Sequence, residues 1–244
     1  ALLFAVFIVL MLLNVPIAIA MVASTLLALF LQGDFNLYFM MQKMVSALLN
    51  PTLMAIPGFI FSGVIMARGG IAKYLMEFAN AWIGHFRGGL SIVTVLVCMI
   101  FASISGSSPA TAAAIGAIAI PGMISAGYDK KYAMGLVAAA GTLGILIPPS
   151  IPMVLYGVTA EESIGKLFAA GMIPGIIMGL VLIVTAVVYA RKNNYGGGRK
   201  YSWSERWHAT VRAIPGLLLP VIILGTIYTG IATPTESSVI ASVY

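Results

Sequence analysis

Residues 90–125 contain no Asp, Glu, Lys or Arg, yet the stretch is interrupted at its middle by Ser103, Ser105, Gly106, Ser107, Ser108 and Pro109. At about 1.5 Å of rise per residue, a straight helix of that length overshoots a hydrocarbon core of roughly 30 Å by a wide margin. Two half-length helices meeting at a polar turn fit instead. In lipid, backbone without helical hydrogen bonds survives only inside protein or against a water-filled cavity. The serine-rich turn is therefore the first place to look for a transport site.

The rest of the chain agrees with a membrane setting. Of 244 residues, 61% are hydrophobic and 8% charged, where a soluble domain carries roughly a quarter charged. The net charge of +6 comes from residues in short loops between apolar runs. It reads as positive-inside topology rather than as nucleic-acid binding. Cys98 is the single cysteine, lies in an apolar run and reads as a small core residue. Both ends fall within apolar runs, which suggests a piece of a larger membrane protein.

The apolar runs are roughly 1–31, 51–67, 90–125, 132–158, 167–190 and 213–232, with a last one from 237. Asn14 and Pro16 are expected to kink the first. If 90–125 enters and leaves on one side, loops 68–89, 126–131 and 191–212 share that side and hold 11 of the 13 Lys and Arg residues. The opposite side keeps Lys43 and Lys166 with Asp34, Glu161 and Glu162. A single crossing also leaves a lopsided split, so length is the stronger argument for a hairpin. In loop 191–212, Trp203 and Trp207 lie on one helix face and Arg206 and Arg212 stay near water. That pattern suggests an interfacial helix, with an ordinary basic loop as the alternative.

At the turn, Ser108 is expected to cap the second half-helix and Pro109 to occupy its first turn. The amides there favour negative charge, and the carbonyls ending the first half-helix near Ser103 favour a cation. Ser105 and Ser107 add hydroxyl and carbonyl oxygens. The bland alternative is a kink with serines and small residues packed between helices.

A second interruption strengthens the case for a site. Residues 141–152 read GTLGILIPPSIP, and Pro148 and Pro149 remove two amide donors inside the next apolar run. Carbonyls freed near Gly144 and Ile147 then need partners. Two interrupted apolar segments close in sequence are the pattern of a secondary transporter's midplane site. Neither break holds a carboxylate or histidine, which favours sodium held by neutral oxygens over a proton relay.

Other motifs read structurally. TPTE, residues 233–236, is a capping box, with a polar contact near a substrate path as the functional alternative. Gly171, Gly175 and Gly179 form a packing face. Enzymatic readings lack support: no base accompanies the serines, His85 and His208 lie outside the apolar runs, and neither a phosphate-binding loop nor a metal-ligand cluster is present.

SISGSSPATAAAIG (103–116), GTLGILIPPSIPMVLYG (141–157) and GIATPTES (230–237), in that order and spacing, resemble the large membrane subunit of tripartite ATP-independent periplasmic (TRAP) transporters. The resemblance runs over essentially the whole chain. It implies an all-α integral membrane fold of elevator type, with a re-entrant hairpin and broken transmembrane helices, the first of two inverted repeats. It implies a multi-pass protein of the bacterial inner membrane that imports an organic anion of the dicarboxylate or sialic-acid class, driven by Na+. The implied partners are a small four-helix membrane subunit and a periplasmic substrate-binding protein. The sodium ligands would fall on Ser105, Ser107, Gly144, Ile147 and Pro149, mostly as backbone carbonyls, and Ser107 and Ser108 would meet the substrate. Family members run to more than four hundred residues, so the second repeat is expected to lie beyond Tyr244.

The expected organisation is scaffold helices and loops over 1–89 and a transport-domain part over 90–166, comprising the hairpin (90–125) and the broken helix (132–158). Scaffold helices with an arm at about 199–212 follow over 167–235, and a further helix starts at 236–244. The runner-up function is a passive channel, because re-entrant loops also build selectivity filters.

Overall fold

A computed structural model describes residues 2–33 and 36–244, and every regular element among them is helical. Asp34, assigned above to the less basic side, lies outside the described residues. The chain forms two compact units, one up to Leu49 and one from Asn50 to Tyr244.

In the first unit, α1 (Leu2–Leu12) and α2 (Ile17–Gln32) pack against each other, and α3 (Leu37–Leu48) follows. The expected kink is a complete break. Asn14 takes φ +62°, and Pro16 sits at the start of α2 without donating to a helix. The side chain of Asn36 caps α3 by accepting from the Phe39 amide at 3.1 Å.

The second unit contains α4 (Ala55–Arg68), α5 (Ile71–Ile83), α6 (Gly89–Ser105), α7 (Ser108–Ser125), α8 (Lys130–Gly141), α9 (Ile151–Thr159), α10 (Ile164–Lys192), α11 (Trp203–Tyr228) and α12 (Pro234–Val243). Short 3-10 turns precede α4 and follow α8. Among the described residues, the helices at Pro51–Arg68, Ser108–Ser125, Ile164–Lys192 and Trp203–Tyr228 are long and apolar enough to cross a membrane. Cys98 is fully buried in α6, as expected of a core residue.

Helices α6 and α7 form an antiparallel hairpin. At its base Thr94 Oγ1 meets Met123 Sδ at 3.7 Å, and at its turn Ser105 Oγ meets Thr111 Oγ1 at 2.9 Å. The arms are the half-length helices expected of residues 90–125. They have 17 and 18 residues, about 26 and 27 Å at about 1.5 Å per residue. Helix α8 returns along α7: a methyl on Gly116 would lie 3.1 Å from Val137 Cγ1, and one on Gly141 would lie 2.8 Å from Ala112 Cβ. Small residues allow that close approach.

Residues 203–212 of the expected arm form the start of a longer helix. Helix α11 starts at Trp203 and continues unbroken to Tyr228 through Pro215 and Pro220. The Ser202–Glu205 capping box fixes its start, so the amphipathic turns and the apolar run form one rod. His208 therefore lies in a helix rather than a loop. Trp203 and Trp207 do share an exposed face, and Trp203 meets Trp82 edge-on at 5.8 Å. The Thr233–Glu236 capping box also forms as read from TPTE.

Candidate functional site

The turn of the hairpin is built by Gly106 and Ser107. Gly106 adopts φ +58° and donates its amide to the Ala102 carbonyl at 3.0 Å, which ends α6 in a left-handed cap. Ser107 is extended and begins α7, so the cap residue is Ser107 and not Ser108 as expected. The Ser107 side chain makes no capping bond. Pro109 lies in the first turn, where its missing amide costs nothing.

Inside the turn, hydroxyls gather around one carbonyl. Thr111 Oγ1 donates to the Ser107 carbonyl oxygen at 2.9 Å, and the Thr111 amide donates to the same oxygen at 3.0 Å. With the Thr111 proton used there, the Ser105 hydroxyl donates to Thr111 Oγ1 at 2.9 Å. Ser105 Oγ also lies 3.4 Å from both the Ser107 carbonyl oxygen and the Ser107 amide. Ser105 and Thr111 are buried, whereas Ser107 and Ser108 are half-buried at the rim.

The second interruption meets this turn directly. The Ile151 amide, at the start of α9, donates to the Gly106 carbonyl at 3.1 Å. A methyl on Gly144 would lie 2.9 Å from the Ser107 carbonyl carbon and oxygen and from the Ser108 nitrogen. A methyl on Gly106 would lie 2.8 Å from the Pro149 carbonyl oxygen. Only glycine at 106 and 144 lets the two backbones come this close.

The proline pair withholds two amide donors from this break. In an unbroken helix the amides of residues 148 and 149 would serve the carbonyls of Gly144 and Ile145. Both are prolines, joined by a cis peptide bond, and donate nothing. Ser150 Oγ donates to the Ile145 carbonyl at 2.8 Å in compensation. The structure thus brings Ser105, Ser107, Ser108, Gly144 and Pro149 to one place. Ile147 is buried in the same break, with its side chain seated on Gly175 of α10.

Residues 4–244 match the family described as Tripartite ATP-independent periplasmic transporter, DctM component. The chain belongs to this family. A C4-dicarboxylate TRAP transporter large permease protein DctM of Vibrio cholerae is 47% identical over all of the chain and 54% of its own length. Its counterpart in Pseudomonas aeruginosa is 54% identical over 79% of the chain and 45% of its own length. A 2,3-diketo-L-gulonate TRAP transporter large permease protein of Escherichia coli is 40% identical over 95% of the chain and 54% of its own length. The chain thus spans about half the length of the curated relatives it matches. These relatives are named as permeases, so the expectation that the chain is not an enzyme holds and the channel reading is not favoured. The DctM-family chain is a multi-pass membrane protein.

Sequence reasoning missed three contributors to this candidate site in the DctM-family chain. Thr111 carried a usable signal, because Ser107 and Thr111 are four apart and a helical Thr bonds back to the fourth carbonyl before it. Ser150 was legible as the first hydroxyl after two donor-less residues. Gly63 of α4, where a methyl would lie 3.1 Å from Ser105 Cα, had no local signal. The glycine face of α10 was legible as a packing face. What it packs against was not: Gly171 touches Met153 and the Leu146 carbonyl, Gly175 touches Ile147 and Gly179 touches Met99.

Proposed function

We propose that this chain is part of a sodium-coupled secondary transporter of the bacterial inner membrane, and that the interlocked interruptions hold the coupling ion. The observation that carries this reading is the contact of Gly144 with the Ser107–Ser108 peptide. It gathers neutral hydroxyl and carbonyl oxygens where no acid, base or histidine lies among residues 90–125 or 132–158. An oxygen-only, uncharged donor set suits a hard monovalent cation, and interrupted helices supply it in transporters. Ser105, Ser107, Gly144, Ile147 and Pro149 are the proposed sodium ligands, with Thr111 holding the Ser107 carbonyl in place.

The substrate is an organic anion of the class named for the relatives, a C4-dicarboxylate or a related acid. Its negative group meets the half-buried Ser107 and Ser108 at the amino end of α7, where free amides favour anions. A periplasmic binding protein delivers it and a small four-helix membrane subunit completes the complex. The hairpin is re-entrant and moves as an elevator with the α8–α9 segment against the surrounding helices.

Uptake into proteoliposomes by the full-length permease, with its small subunit and binding protein, tests this. Sodium should drive accumulation against a gradient, with competition among dicarboxylates, keto acids and sialic acid identifying the substrate. Bulky replacement of Ser105 or Ser107 should abolish it. Accumulation that needs no sodium, or equilibration without accumulation, would contradict the proposal.

A further inference from the structure

At the opposite end of α6 from the serine turn, Arg87 and Arg191 line one open cleft of about 580 Å³ with Phe86, Ile92 and Val187. The backbone carrying the two arginines is fixed. Gly88 adopts φ +73°, and a methyl on it would lie 2.5 Å from Ala190 Cβ, so the chain touches itself at the neighbours of both arginines. The Gly198 amide donates to the Gly84 carbonyl at 2.8 Å, and Gly197 lies against the carbonyls of His85 and Phe86, bracing the same loop.

Neither arginine has a counter-ion among the described residues. The ion pairs among the described residues are Lys73–Glu77 and Arg199–Glu205. Two guanidinium groups held at one cleft repel unless an anion bridges them, and phosphate oxygens match their forked donors. The amide end of α6, beginning at Gly89 beside the cleft, adds to the positive field.

The cleft is also apolar on one side. Phe86 is 54% exposed and stands with Ile92 and Val187. Arg191 lies in the last turn of α10, whose 29 residues are long and apolar enough to cross a membrane, and a crossing helix of that length would put the cleft near the lipid headgroups. Basic clefts between membrane helices suit anionic headgroups. We propose that this cleft binds the phosphate of an anionic phospholipid. Arg87 and Arg191 take the phosphate oxygens, and Phe86, Ile92 and Val187 take the start of the acyl chains.

Native mass spectrometry of the full-length permease, titrated with phosphatidylglycerol or phosphatidylcholine, tests the proposal. The wild type should retain phosphatidylglycerol preferentially. R87Q/R191Q should lose about thirtyfold in phosphatidylglycerol affinity, and each single variant about fivefold, the size of one and two headgroup contacts. K130Q/K131Q, which removes equal charge elsewhere, should change little. The single variants decide the matter if the double variant does not fold. Unchanged lipid preference in the arginine variants would overturn the proposal. So would an equal loss in K130Q/K131Q, or displacement of the lipid by millimolar inorganic phosphate.

Discussion

The Ile151 amide reaches across to the Gly106 carbonyl at 3.1 Å, so the first residue of α9 is hydrogen-bonded to the turn of a hairpin 45 residues earlier. This bond is possible because both segments lack regular helix at that point. The left-handed Gly106 frees its carbonyl, and the Pro148–Pro149 pair delays the start of α9 until Ile151. Each break supplies what the other lacks, which is how irregular backbone persists inside a membrane fold.

The fit at Gly144 leaves no room for a side chain. In Gly144→Ala, the new methyl sits 2.9 Å from the Ser107–Ser108 peptide, and the turn cannot retreat without losing its bond to Ile151. Overpacking of this kind costs about 1–3 kcal/mol. The full-length permease should melt at a lower temperature in detergent and lose uptake. Gly135→Ala, whose methyl meets nothing within 4 Å, should leave both unchanged.

Thr111 orients the Ser107 carbonyl through a 2.9 Å hydrogen bond. Thr111→Val keeps the shape and removes the hydroxyl, leaving that oxygen and Ser105 Oγ without a shared partner. The sodium concentration for half-maximal uptake should rise about tenfold, the effect of one lost interaction of roughly 1.4 kcal/mol. Thr111→Ser should restore it.

The site oxygens belong to serine and threonine hydroxyls and to peptide carbonyls, none of which titrates near neutrality. The sodium dependence of uptake should therefore be flat between about pH 6 and 8, because an intramembrane proton relay needs ionisable groups that this site does not have. Parallel sodium titrations at several pH values check this, with the binding protein saturated throughout.

Helix α12 begins with a reciprocal cap. The Thr233 amide donates to Glu236 Oε2 at 2.7 Å, and the Glu236 amide donates to Thr233 Oγ1 at 3.3 Å. Thr233→Ala should destabilise the permease by about 1 kcal/mol, read as a lower thermal midpoint. Sodium affinity should stay as in the wild type.

That cap was visible in four letters of sequence because capping is local chemistry. The place of the interruption at Asn14 and Pro16, though not its completeness, and the turn at Gly106 were legible for the same reason. The position of the cap at Ser107 rather than Ser108 depends on the direction in which the chain leaves Gly106, which the letters do not carry. The contacts that make the site are long-range: Gly144 on Ser107, Ile151 on Gly106 and Gly63 on Ser105. Sequence showed that each segment was interrupted and had spare oxygens. It did not show that one break seats in the other. The joining of residues 203–212 to the following apolar run in the single helix α11 was likewise hidden, because it depends on packing rather than on any one residue type.

Equilibrium binding of radioactive sodium to the purified full-length permease tests the central claim most directly. Ser105→Ala is the mildest change at the site, because it keeps the carbon that packs near Gly63 and removes only the hydroxyl bonded to Thr111. The account predicts saturable binding in the wild type, weakened about tenfold in Ser105→Ala and unchanged in Ser125→Ala, an exposed residue at the far end of α7. Equal sodium affinity in the wild type and Ser105→Ala would contradict it.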